Sequence, residues 1–470
     1  MRASTRVVLA VAVVARAAVV AWGWGRFPAV EDGHYYDYYA ARLAHGGGYT
    51  WVWPDGTATY AAHYPVGYPA LLAPLYALFG ASPNVATLFN AALGVLSTFA
   101  LLRLLERAAS ERAATVGACV YAVHPALLFY VPAVMTEGIT ASLLVVAAWL
   151  AAEARTSKHA RRWRVACGVM MGVATLVRPQ SVVLAPILGL LSTDGAWRAR
   201  LLAAAGVGAI AIACCLPWTA RNCVRMHRCA LVSVNGGWNL LIGEGSKEGG
   251  WSKVDVPPEC ATVWDEAGKD VCFGRAAERA IWGAPLRWIA KMPAKVAMTF
   301  DYLGAAPWYL NVSNPKVVDG KGKIALAAVE TVVTRALLLV ALVRIGLLEG
   351  ERRPSRILLC ALGVAATLTL HAWPGYLLLA TAIATLGRRL GEAPLLLPFG
   401  AAVVVVTAAT HAVFFGAGRY GLVVVPFVSA LAFVGSRGSF PRVAAVQAIA
   451  GSQEREESPS SEEHDPGNAR

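Results

Sequence analysis

The sequence predicts an all-α, polytopic transmembrane protein of about twelve spans, since apolar runs near the roughly 20 residues a spanning helix needs recur from end to end. Two further observations support this. Hydrophobic residues make up 57% of the 470-residue chain and charged residues 15%, with a mean hydropathy of +0.52, whereas soluble domains carry about 25% charge. The net charge of +13 is gathered between apolar runs, in RTSKHARRWR (155–164) and ERRPSR (351–356), as short cytoplasmic loops require. That placement argues against a nucleic-acid partner.

The first run, Val7 to Trp24 behind MRASTR, resembles a signal peptide with weak cleavage-like sites before Trp22. It is long enough to span, and the later spans alternate correctly only if it is retained, so it reads as a signal anchor. The remaining windows fall near 84–104, 113–131, 135–153, 164–178, 181–193, 200–218, 326–346, 356–372, 374–388, 394–414 and 420–436. The pair meeting at Arg178-Pro179 is short, so tilted or re-entrant. With Arg2 and Arg6 inside, every short basic loop lands on the cytoplasmic side of a cell membrane. Both termini are then cytoplasmic, and the stretch 31–69, Arg178-Pro179, the segment 219–325 and the turn near Gly416 to Arg419 share the outer face, where any active site built from them would lie.

This divides the chain into an N-terminal membrane module (1–218) with a first outer loop (26–83), a second outer segment (219–325), a C-terminal membrane module (326–436) and a tail (437–470). The tail is acidic, Ser-rich and without apolar periodicity, hence disordered. The second outer segment reads as a small, partly helical cap, with helix near 270–300 and a glycine turn in NGGWNLLIGEG (235–245). Its four cysteines favour local disulfides, Cys223 with Cys229 and Cys260 with Cys272, over the other two connectivities. No Cys-x-x-Cys spacing supports a metal site there.

The first outer loop, EDGHYYDYYAARLAHGGGYTWVWPDGTATYAAHYPVGYP (31–69), is too polar and too rich in Gly and Pro to span. Asp32 suits a base that takes a proton from an attacking hydroxyl or amine. It equally suits a carboxylate at the start of a helix near Gly33. Asp37, five residues on, faces elsewhere; Glu31 is adjacent and free to point away. The loop's aromatics, Tyr36 and Tyr64 among them, can stack on sugar rings, although an interfacial belt also uses Tyr and Trp. YPVGYP (64–69) fixes a bend before an interfacial helix from Ala70 to Phe79. Ionisable residues within the spans stand near the outer ends: Glu137 opens the fourth span, Arg178 closes the fifth, and Arg419 with Tyr420 precedes the twelfth. Charge at bilayer depth is costly, so their common side suggests a shared polar cavity. Arg221, at the end of the seventh span, joins Arg178 and Arg419 as a guanidinium suited to phosphate.

These motifs resemble the C-type superfamily of integral-membrane glycosyltransferases, in the branch with protein O-mannosyltransferases and aminoarabinose lipid A transferases. The resemblance rests on Asp32 with Tyr36 and Ala40, Gly46-Gly47-Gly48-Tyr49, YPVGYP, MTEG (135–138), Leu176-Val177-Arg178-Pro179, PWTARN (217–222), NGGWNLLIG (235–243) and FFGAGRY (414–420). It spans most of residues 1–436. It implies transfer of a sugar from a polyprenyl-phosphate donor to an acceptor (lipid, glycan or protein) with inversion. Asp32 would be catalytic; Glu137, Arg178, Arg221, Arg419, Tyr420, Tyr36 and Tyr64 would bind substrate, Arg419 the donor phosphate. Several relatives write the acid pair as Asp-Glu, whereas here Glu31 precedes Asp32. No cofactor is expected and no metal-binding acid pair stands out, though a divalent metal is not excluded. Membrane lipids are the other expected partners. A secondary transporter would instead place ionisable groups near the bilayer midplane, and a lipid-linked polysaccharide polymerase or ligase would centre its chemistry in late outer loops.

Overall fold

The computed structural model describes residues 2–387 and 393–435. The tail expected to be disordered and most of the loop GRRLGE (387–392) lie outside them. The described residues are mostly helical, and the chain is a multi-pass membrane protein. Among the described residues, six helices are long and apolar enough to cross a membrane: α1 (Ala3–Gly23), α4 (Pro83–Leu105), α7 (Thr136–Thr156), α10 (Trp197–Arg225), α15 (Gly320–Gly346) and α18 (Leu396–Val413). Between α1 and α4 lie α2 (Asp32–Ala44) and α3 (Gly67–Phe79); α5 (Glu111–Ala122) and α6 (Pro125–Leu128) precede α7.

Shorter helices occupy the other apolar windows, broken where the local chemistry requires. The window 113–131 divides because α5 stops at Ala122 and Pro125 opens α6. α8 (Ala160–Val177) ends before Arg178-Pro179, where a proline cannot donate to the preceding turn. A 3-10 turn over Pro179–Val183 then leads into α9 (Leu184–Leu191). The last window is likewise split, into α19 (Gly418–Gly421) and α20 (Val425–Leu431). Helix starts follow capping rules. Ser82 accepts from the Asn84 N–H with Pro83 in the first turn, and Asp319 caps α15 through Gly322.

Helix α7 is the most enclosed of the six. It packs against α4 and α8; α10 covers α8 and α9, and α1 lies on α4 and α5. The second half is built on α15, which packs on α16 (Arg353–Thr367), α17 (Trp373–Ala384) and α20. The connection between α10 and α15 carries α11 (Gly236–Gly245), α12 (Glu266–Gly283), α13 (Pro285–Phe300) and α14 (Ala305–Ser313). Disulfides join Cys223 to Cys229 and Cys260 to Cys272, as expected from their spacing. The only strands among the described residues are β1 (Thr50–Val52) and β2 (Ala58–Tyr60), an antiparallel pair in the first loop.

Two expectations are corrected. The segment NGGWNLLIGEG is not a turn: it forms α11. Its glycine Gly237 is needed for contact, since a Cβ there would overlap the backbone carbonyl of Asp270 on α12. Ionisable groups within spans are also not confined to their ends. Arg16 of α1 is buried, donating to the carbonyls of Ala12 and Ala122 at 3.4 and 3.2 Å, and Glu330 of α15 is fully enclosed. An average over 20 residues tolerates one such charge, so hydropathy does not reveal it.

Candidate active site

The site forms where α1 and α8 end and α7 begins. After α1 the chain turns at Glu31, whose φ of 53° is a left-handed conformation rare for a side-chain-bearing residue. That turn leaves Glu31 exposed and starts α2 at Asp32. Gly33 allows the helix start to seat against α7's approach: a Cβ there would lie 2.9 Å from the Val134 carbonyl and 3.0 Å from the Tyr309 hydroxyl.

Asp32 Oδ2 lies 2.7 Å from Arg419 Nη1, and the Tyr64 hydroxyl donates to Asp32 Oδ1 at 3.1 Å. Tyr64 is held by a stack with Tyr35 (centroids 4.6 Å apart, 15° between planes) and meets buried Tyr36 edge-on at 5.4 Å. Burial alone would raise the Asp32 pKa. The Arg419 charge and hydrogen bond, helped by Tyr64, outweigh it and hold the carboxyl below its ordinary 3.8.

Glu137 sits in the first turn of α7, where a carboxylate also complements the helix dipole. Its Oε1 is 2.8 Å from Arg178 Nη1 and 3.6 Å from Arg419 Nε, and its Oε2 accepts from the Tyr130 hydroxyl at 2.9 Å. Tyr420 completes the cluster. The Arg178 guanidinium lies 4.8 Å from its ring centre, Arg419 Nη2 donates to its hydroxyl at 3.2 Å, and its ring stacks on His411 at 4.2 Å. Arg178 and Tyr420 also line a small cavity, together with Thr140, Ser181, Thr407 and His411. Acids and guanidiniums thus alternate: Asp32, Arg419, Glu137, Arg178.

The Arg419 loop is set by close packing. A Cβ on Gly418 would overlap the backbone carbonyls of Tyr302 and Leu303, just after α13, and Gly416 N donates to Gly249 O at 2.8 Å. The tip of the loop is therefore pressed between α13 and the segment that follows α11.

Arg221 is not brought to this cluster. It donates to the carbonyls of Ala61 and Tyr49 at 2.8 and 2.9 Å and stacks on Trp218, its Cζ 4.6 Å from the ring centre. Its work is to hold the β1–β2 loop, because its fork finds backbone oxygens instead of an open face. Arg221→Ala is expected to lower stability by about 2 kcal/mol through these charged hydrogen bonds, seen as a lower melting temperature in nanodiscs. Asp37 is also elsewhere, accepting from the Tyr76 hydroxyl at 2.5 Å, and burial raises its pKa although that bond opposes the rise.

Sequence reasoning missed Tyr130 and Glu266. Glu266, at the start of α12, accepts from the N–H groups of Ala62 and His63 at 2.6 and 2.9 Å, clamping the first loop just before Tyr64. Some 200 residues separate the partners, so no local signal exists. Tyr130 precedes MTEG by five residues and was readable only as another interfacial aromatic. Among the described residues no group of three or more His, Cys, Asp or Glu is placed to hold a metal ion.

Residues 63–220 match the family profile of the dolichyl-phosphate-mannose-protein mannosyltransferases. No curated protein matches the chain in sequence. Among solved structures, the Archaeoglobus fulgidus oligosaccharyltransferase tethered with an acceptor peptide is 16% identical over 95% of this chain and 53% of its own, with a TM-score of 0.45. The same organism's AglB in complex with an inhibitory peptide and a dolichol-phosphate is 15% identical over 98% and 52%, TM-score 0.45. ArnT from Cupriavidus metallidurans bound to undecaprenyl phosphate is 17% identical over 97% and 81%, TM-score 0.39. The chain spans about half the length of the oligosaccharyltransferase chains it matches. The family match bears out the resemblance to the C-type integral-membrane glycosyltransferases read from the sequence.

Proposed function

We propose that this protein is an inverting membrane glycosyltransferase that moves a sugar from a polyprenyl-phosphate donor to an acceptor at the outer face of the membrane. The observation that carries this reading is the Asp32–Arg419 contact of 2.7 Å beside the Glu137–Arg178 pair. It sets a carboxylate able to take a proton next to two guanidiniums able to hold a phosphate. The family match over residues 63–220 supports the donor class. The basic loops between spans support the orientation.

In the step, the acceptor hydroxyl oxygen attacks the anomeric carbon while its proton passes to Asp32. The bond from that carbon to the phosphate oxygen breaks, its electron pair stays on the phosphate, and the donor leaves as polyprenyl phosphate with one more negative charge. Arg419 and Arg178 stabilise that growing charge. Attack opposite the leaving group inverts the anomeric centre. Tyr36 and Tyr64 wall the sugar side, and Glu137 with Tyr420 keeps the two guanidiniums in register. No step is assigned to a metal.

The test is to incubate the purified protein in nanodiscs with a panel of polyprenyl-phosphate sugars and to follow donor consumption and product anomer. Consumption of one member with inversion is expected. Consumption of none, together with solute uptake into proteoliposomes lacking lipid-linked sugar, would replace this reading with a transporter. Gly418→Ala should lower turnover by about 10²-fold, since displacing a catalytic group by about 1 Å has that effect. Retention of normal kcat would show that the loop tolerates displacement.

A further inference from the structure

The cluster's charge balance has a consequence for how the donor enters. Asp32 and Glu137 are both matched to arginines, so two negative charges face two positive ones. A phosphodiester adds a negative charge to a cluster that is already neutral, and it can pair with a guanidinium only where a carboxylate gives one up. One carboxylate has to yield its arginine.

The geometry decides which. Glu137 is 2% exposed, is anchored on α7, and is held by Arg178, Tyr130 and Arg419 at 2.8, 2.9 and 3.6 Å. Asp32 is 32% exposed, and among the described residues its carboxylate is bonded by Arg419 and the Tyr64 hydroxyl alone. Arg178 is committed to Glu137 and to the Tyr420 face, whereas Arg419 directs Nη1 at Asp32.

Resting on the proposed function, we infer that the donor's phosphate takes the place of Asp32 on Arg419, so that seating the donor frees the base that the reaction needs. Paired with Arg419, Asp32 is a weak proton acceptor. Freed from it, the carboxylate keeps Tyr64 as its hydrogen-bond partner, with His63 and Tyr36 as further titratable neighbours, and its basicity rises. Without a donor the base stays masked, which protects the site from unproductive proton transfer. Glu137 is the positioning residue that keeps both guanidiniums in place during the exchange.

The experiment measures binding of undecaprenyl phosphate, with undecaprenol as the uncharged control, to the full chain in nanodiscs. Asp32→Asn and Asp32→Ala, each checked for folding by melting temperature, are expected to bind the phosphate at least about tenfold more tightly than the wild type, one unit of log affinity being 1.4 kcal/mol. Undecaprenol binding should be unchanged. In an Arg419→Gln background the gain from Asp32→Asn should largely vanish, because the competition acts through Arg419. Equal or weaker phosphate binding by both Asp32 variants overturns the exchange while leaving the glycosyltransferase reading intact. A gain of the same size with and without Arg419 also overturns it, in favour of a through-space effect of the charge. Failure of every variant and of the wild type to bind undecaprenyl phosphate overturns the functional reading itself, and the exchange with it.

Discussion

Asp32→Asn is expected to abolish sugar transfer, with kcat falling by about 10²–10⁴, the usual contribution of a positioned general base. The substitution keeps the size of the side chain and its hydrogen bond with Tyr64, and removes only the charge and the basic lone pair. Because the side chain is partly exposed and its ionic contact is with one arginine, the variant should remain folded and inserted. Full activity would sink the assignment of the base. Glu31→Gln and Asp37→Asn serve as comparisons, since Glu31 is exposed and Asp37 is turned toward Tyr76; neither should change kcat by more than a few fold. The pH profile gives a second check. The folded-state pKa of Asp32 is depressed, so the ionised form is fully present at and above the ordinary aspartate range. It is lost only as the pH falls through the lower, folded value. The same sign holds for stability, which this pair supports at neutral pH and ceases to support in acid. The acid limb of kcat/KM, which reports the free enzyme, should therefore fall below 3.8, or lie beyond the acid limit of the protein's stability.

Arg419→Gln carries the second large effect. The guanidinium joins Asp32 to Glu137 and donates to Tyr420, so under the proposed mechanism its removal would withdraw charge from the departing phosphate and untie the base. Loss of one such electrostatic group typically lowers kcat by about 10²–10³, and most of the fall should appear in kcat/KM for the donor. Lysine at this position keeps a charge but not the fork that reaches two carboxylates and a hydroxyl at once, so Arg419→Lys should recover only part of the activity. The double variant Asp32→Asn with Arg419→Gln should be less destabilised than the sum of the two single changes. Asp32→Asn takes from Arg419 the nearer of its two carboxylates, Arg419→Gln leaves the Asp32 charge unmatched, and the double change removes both charges of that contact. A measured coupling near zero would mean that the contact at 2.7 Å contributes little.

Legibility in the sequence followed the range over which each property is defined. Helical spans are written in runs of apolar residues, so the windows were visible. The meeting of two short windows at Arg178-Pro179 was visible too, from local backbone rules, whereas the break before Pro125 inside the window 113–131 was shown only by the structure. The two disulfides were legible because each closes a short loop. Charges at the ends of spans were visible as well, and the structure brings Asp32, Glu137, Arg178 and Arg419 together with Tyr64 and Tyr420. Arg221 shows where that reasoning stopped. By type and position it matched the other arginines, but its donors are spent on the carbonyls of Tyr49 and Ala61.

By itself, then, the sequence determined a helical membrane protein with acids and arginines waiting at span ends, because hydropathy and charge are properties of short stretches. Only the tertiary structure decided which carboxylate meets which guanidinium, that Glu266 clamps the first loop, and that Arg16 and Glu330 are buried within the bundle. Those pairings join residues 40 to nearly 400 positions apart, and side-chain geometry at that separation is set by how helices pack, which no local pattern encodes.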